Sequence, residues 1–265
     1  MFSSWARSLF AVTTNGLIML GCFVGIVVIQ NRNMDKSEQE LSAEDYEELV
    51  NDEKINLEFL RRVPSMGLGN MIADWGYLGF VQYFGDVPAR DNTGYGLLPQ
   101  YYQLLVDKDP HFTDALSKLD VATSLFGGKP EASASFLGQA LSKIPKRFIT
   151  NIPPYYLWRA KGNNELLFAG NVDAAKKSYR HSMEWAKAYD DDESRRMINI
   201  NKDSLKFLAN NPDSTEARIG AWVGILANRP DKKTVERVIK EIKALGANVV
   251  VEPNGNIRVT LPDNL

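Results

Sequence analysis

The 265-residue chain predicts an all-α fold of antiparallel helix pairs, preceded by an apolar membrane-spanning helix and closed by a small β-hairpin. Three observations carry that prediction. From Asn70 nearly to Leu245 the apolar residues recur at helical spacing, in segments of roughly 12 to 16 residues broken by short loop signals such as KDP, GGKP, NIPP and NNPD. From Ser8 to Asn31 no charged residue occurs. Near the C-terminus NVVVEPNGNIRVTLP alternates apolar residues around Asn254 and Gly255, the signature of a tight hairpin turn.

Residues 1–31 read as a transmembrane anchor. The stretch is densest in apolar side chains from Leu17 to Ile29 and matches the roughly 20 residues a helix needs to cross a bilayer. The following QNRNMDKSEQE offers no small-residue cleavage site, and MLGC carries Met19 where a lipidation motif has a branched aliphatic or leucine, so retention is favoured over cleavage or lipidation. Gly21 and Gly25 form a GxxxG pair through which two such helices can approach as a homodimer. The basic residues Arg7, Arg32 and Lys36 flank both ends. The short head and acidic downstream flank favour an exported or lumenal soluble part, with the cytoplasmic side as the competing orientation.

Residues 32–69 form an acidic linker with a spacer helix near 42–62, opened by Ser42 with Asp45 three residues on and ended by VPSMGLGN. Residues 70–188 hold three helix pairs, 189–246 read as capping helices, and 247–265 as the β-hairpin and tail.

Composition narrows the function classes. A formal net charge of −2 supplies no basic field for nucleic acid, and none is expected as a partner. One cysteine, Cys22, excludes a disulfide framework. The two histidines, His111 and His181, lack metal-ligand spacing, so no metal or cofactor is expected. Asp74 and Asp86 lie about 18 Å apart on a straight helix, too far for paired acid–base work. MGLGNM lacks the third glycine and lysine of a phosphate loop, and DDDE at 190–193 is a helix start without calcium-loop spacing. No enzyme activity is expected.

The unit GNVDAAKKSYRHSMEWAKA places Ala175, Tyr179 and Ser182 on one helical face, small against large, and upstream stand Trp158 and Gly162. This resembles a tetratricopeptide repeat. Pro110 and Pro145 fall 35 residues apart, against a repeat period of 34. Trp75, Leu78 and Gly79 reproduce the W-x2-L-G spacing of the repeat's first helix, with Tyr102, Leu105 and Pro110 in its partner. GDVPARDNTGYG makes that first repeat about seven residues too long. The resemblance implies a tetratricopeptide-like α-solenoid, with Trp75, Leu78 and Gly79 packed inward. The soluble part also resembles bacterial, notably cyanobacterial, membrane-anchored tetratricopeptide proteins, which implies a scaffold at a plasma or thylakoid membrane.

The resemblance further implies a partner-binding groove, here Gly76, Phe80, Tyr83, Tyr156, Arg159 and Asn163. Arg159 and Asn163 stand where chaperone-binding repeat domains hold a peptide carboxylate, with Arg195 and Arg196 as further donors. The expected function is a membrane-anchored scaffold that binds protein partners and helps assemble or organise a membrane protein complex. The alternative is a stable structural accessory subunit of such a complex.

Overall fold

A computed structural model of the chain describes residues 16–28, 41–210, 212–228, 230–252 and 257–261. Contacts divide the chain into a unit of Met1–Asp45 and a unit of Tyr46–Leu265. In the first, residues 16–28 are helical (α1), and their apolar side chains are mostly exposed. No helix among the described residues is long and apolar enough to cross a membrane. The remainder of the expected span, its charged flanks Arg7, Arg32 and Lys36, and the Asn254–Gly255 turn lie outside the described residues. The start of α2, Ala43–Arg62, is closed by reciprocal bonds: Ser42 N–H donates to Asp45 Oδ2 at 2.8 Å and Asp45 N–H to Ser42 Oγ at 3.2 Å.

The second unit is mostly helical with a two-stranded antiparallel hairpin at its end. After α2 come α3 (Gly69–Gly85), α4 (Val87–Thr93), α5 (Leu98–Lys108), α6 (Thr113–Val121), a π-helical turn (Ala122–Phe126), α7 (Pro130–Leu141), α8 (Pro154–Leu167), α9 (Val172–Ala186) and α10 (Asp192–Ala209). Proline opens α7 and α8, where its missing N–H costs nothing, and Asn171 and Asp191 cap α9 and α10 by accepting from Ala174 N–H and Ser194 N–H. Helices near one another in sequence pack together: α3 on α5, α5 on α6 and α7, α7 on α8, α8 on α9, α9 on α10. One core cluster runs from Leu57 of α2 through Tyr101, Leu104, Leu116 and Leu137 to Trp185 and Met197.

The excess residues of the first helix pair fold as α4 and a pinned turn. Asp86 caps α4 by accepting from Ala89 N–H at 3.1 Å. Arg90, only 6% exposed, stacks over the Tyr83 ring at 3.6 Å and donates from Nη1 to the Gly94 carbonyl at 2.8 Å. The Tyr83 hydroxyl donates to the same carbonyl and accepts from Leu97 N–H at 3.1 Å. Gly94 itself sits at φ 70°, ψ −162°, a region open essentially to glycine alone.

The last elements, α11 (Thr215–Ala227), α12 (Lys232–Ala244), β1 (Asn248–Val251) and β2 (Ile257–Thr260), turn back along the molecule. The strands pair antiparallel from Asn248↔Thr260 to Val251↔Ile257. Trp222, Ile225, Val238, Ile242 and Val249 form a second core that closes over Phe168 at the end of α8. α10 packs against α9, while α11 contacts α8 and the π-helical turn. The start of α12 lies against earlier elements: Asp231 faces Gly94, Thr234 faces Gly128, and Arg237 pairs with Glu131 at the start of α7 at 2.8 Å.

Gly94→Ala combines backbone strain with a methyl placed 2.7 Å from Asp231. It should lower stability by about 1–3 kcal/mol in urea denaturation. Gly85→Ala, with open space around its Cβ position, serves as the matched control and should leave the midpoint near wild type.

Candidate partner-binding site

The residues proposed from sequence as one groove fall into two separate settings. Gly76, Phe80 and Tyr83 are buried in the seam between α3 and α5. Gly76 faces Leu104 and Leu105, and Phe80 and Tyr83 lie edge-on or tilted against Tyr101. They are buried core residues, which corrects their assignment to an open groove. The inward seam is Ala73, Gly76, Phe80 and Tyr83, spaced three, four and three residues apart, so one face of the helix meets α5 along its length.

The same rotation places Trp75 and Leu78 outward. They are 66% and 58% exposed, which corrects the expectation that they pack within a repeat; Gly79 lies beside Tyr101. Leu68, Met71, Trp75 and Leu78 form a second apolar seam on the opposite side of α3, each more than half exposed. Val81 and, in the turn before the helix, Met66 extend the apolar surface. α3 is thus apolar on two opposed faces, and the described residues cover only one of them. An exposed apolar patch of this extent marks an interaction surface more often than an ordinary solvent face.

The other three predicted residues share a partly exposed polar face of α8. Tyr156 Oη donates to Glu193 Oε1 at 2.5 Å, and burial together with that carboxylate pushes the phenol up to about 12. Arg159 Nη1 donates to Asn201 Oδ1 at 3.0 Å and Ser204 Oγ at 2.9 Å on α10. Its guanidinium stands 4.5 Å over Tyr179, whose hydroxyl donates to Asn163 Oδ1 at 2.9 Å. Arg159 and Asn163 are therefore brought together through Tyr179, but Arg159 spends donors on α10. Arg195 is held by Asp190 and Asp192, and Arg196 is exposed.

Two further polar clusters were not singled out in the sequence. Asp120 Oδ1 accepts from Ser133 Oγ at 2.6 Å, Asn164 Nδ2 at 2.8 Å and Ser124 Oγ at 3.5 Å, joining α6, the π-helical turn, α7 and α8. Burial raises its carboxyl above the ordinary range, against the lowering effect of those donors. The available signal was a lone acid on the face shared by Leu116, Leu119 and Thr123. On α8, Lys161 pairs with Glu165, which also accepts from Ser178 Oγ at 2.6 Å. Ser178 is 1% exposed on its helix, and its proton is committed to a carboxylate, so the trio has no accessible nucleophile. Asp74 is exposed, and Asp86 serves as the α4 cap. Among the described residues no three His, Cys, Asp or Glu side chains gather as a metal site.

Because Asp120 titrates above its unfolded value of about 3.9, its contribution is fully present below that pH and is lost as pH rises through the raised folded value. Urea midpoints taken from pH ~4 to pH ~7 should therefore show a fall in wild type that is absent in Asp120→Asn, which keeps the acceptor oxygen without the charge.

Comparison of the chain with protein-family models, with curated proteins and with solved structures finds no match in any of the three.

Proposed function

We propose that this chain is a membrane-anchored helical scaffold that docks protein partners and so helps assemble or organise a membrane protein complex. The observation that carries the proposal is the uncovered seam of α3, Leu68, Met71, Trp75 and Leu78, on a helix whose other face is already core. Burying one such side chain contributes about 1.5–3 kcal/mol before the costs of association, so four in a row supply a binding surface of useful strength. The seam contains no charge, which suits it to an apolar helix face and gives it nothing with which to do acid–base chemistry.

Three features support the scaffold reading. Ala175, Tyr179 and Ser182 are buried on one face of α9, and Gly162 of α8 lies so close that a methyl there would meet Tyr179 Cε1 at 2.6 Å. That small-against-large contact is the one the tetratricopeptide resemblance implies, and with the chain-order packing of α7 to α10 it favours a solenoid-like array. The uncharged run from Ser8 to Asn31 favours an anchor in a plasma or thylakoid membrane, which would raise the local concentration of scaffold and partner. A permanently bound accessory subunit would use the same seam.

Chemical cross-linking of the full chain in its native membranes, followed by mass spectrometry, tests the reading. Trp75→Glu with Leu78→Glu should abolish the cross-linked partners while leaving stability within about 0.5 kcal/mol of wild type, since both positions are exposed. Unchanged partners in that variant would remove the basis for the proposal.

A further inference from the structure

Arg90 is a buried charge without a counter-charge. Its Nη1 is spent on the Gly94 carbonyl and one face of its guanidinium on the Tyr83 ring, and no carboxylate among the described residues pairs with it. Nε and Nη2, the donors along the remaining edge, meet no acceptor among the described residues. At 6% exposure such a group is expensive to leave unpaired. The same arginine lines an open cleft of about 380 Å³ between α2, α3, α4 and α5, walled by Tyr46, Glu53, Gln82, Asp86 and Tyr101. That volume suits a small organic molecule.

Glu53, on the α2 wall, is the matching case. Its Oε1 accepts from Tyr101 Oη at 2.6 Å, and no cation among the described residues pairs with its carboxylate. Asp86, the third charge in the cleft, is committed to α4, which it caps through Ala89 N–H. The rings of Tyr83 and Tyr101 stand 5.3 Å apart, with Arg90 on the first and Glu53 at the hydroxyl of the second. An anion alone would meet Arg90 but face Glu53 and Asp86, while a cation alone would leave Arg90 unpaired. A molecule bearing both charges answers both groups.

We propose that this cleft binds a small zwitterion, an amino-acid-like molecule whose carboxylate takes the free edge of Arg90 and whose ammonium takes the free oxygen of Glu53. Its occupant ties α2 to α4.

The test is equilibrium titration of the full chain in detergent micelles with glycine, β-alanine, γ-aminobutyrate and ε-aminocaproate, which separate the two charges by increasing lengths. Butyrate and butylamine, with one charge each, are titrated beside them. At least one of the zwitterions should saturate with a Kd of about 1 mM or below, and the singly charged compounds should bind about tenfold more weakly or not at all. Glu53→Gln, which keeps an acceptor for Tyr101, should weaken that zwitterion about tenfold without weakening butyrate. Arg90→Lys should weaken both, since a point charge replaces the planar fork. Because Arg90 also pins the Gly94 turn, Gln82→Trp is the independent variant: Gln82 is exposed on the cleft wall, so the added bulk fills the cleft while leaving the core alone, and binding should be lost. Saturation by none of the zwitterions, equal affinity for butyrate, or binding that survives Glu53→Gln or Gln82→Trp overturns the proposal.

Discussion

A single carboxylate oxygen sets the register of the central helices. Moving Asp120 into the interior costs several kcal/mol unless donors meet it, so the positions of Ser133, Asn164 and Ser124 are tied to it rather than free to slide. Ser133 lies on α7 and Asn164 on α8, so one acceptor fixes how both helices cross α6. The wide turn Ala122–Phe126 follows directly, and Gly127 N–H donates to the Ala122 carbonyl at 2.9 Å to close it.

The same logic explains why the C-terminal elements return toward the beginning of the fold. The bulge left by α4 and the turn at Gly94 would otherwise expose a strained backbone, and Asp231 packs directly against it. Asp231 is at the same time the cap of α12, accepting from Lys233 and Thr234 N–H. One side chain thus terminates a helix and seats it on the early loops, while Arg237 and Glu131 hold it from the next turn. Under α11 and α12, Trp222 and Phe168 meet edge-on at 5.0 Å and close the second core over the end of α8.

Most helix positions were legible in the sequence because breaks and caps are local. Ser42 with Asp45, Asn171, and the prolines at 130 and 154 each act within one turn of their own position. The buried face of α9 was legible for the same reason, since Ala175, Tyr179 and Ser182 need only helical spacing to share a side. What could not be read was long-range. The Arg90–Gly94–Tyr83 lock depends on a backbone carbonyl eleven residues from the tyrosine, and Arg159 is bound by Asn201 and Ser204, more than 40 residues away. No spacing rule reports which way a later helix will lie.

α3 shows how local reasoning can be right about the element and wrong about its rotation. Its sequence contains two seams of identical rhythm, Ala73–Gly76–Phe80–Tyr83 and Leu68–Met71–Trp75–Leu78, and hydrophobicity alone ranks the tryptophan-bearing one as the core. Packing decides otherwise, because α5 brings the Leu104 and Leu105 side chains onto Gly76, where a methyl would stand 2.6 Å from Leu104 Cδ2, and Gly76 lies on the first seam. Once that seam is buried, nothing inside the fold requires Trp75, Met71 or Leu78 to be apolar. A polar residue at any of the three would leave the core untouched and remove exposed apolar surface. The physical demand for these side chains lies outside a single folded copy, in whatever surface comes to cover them.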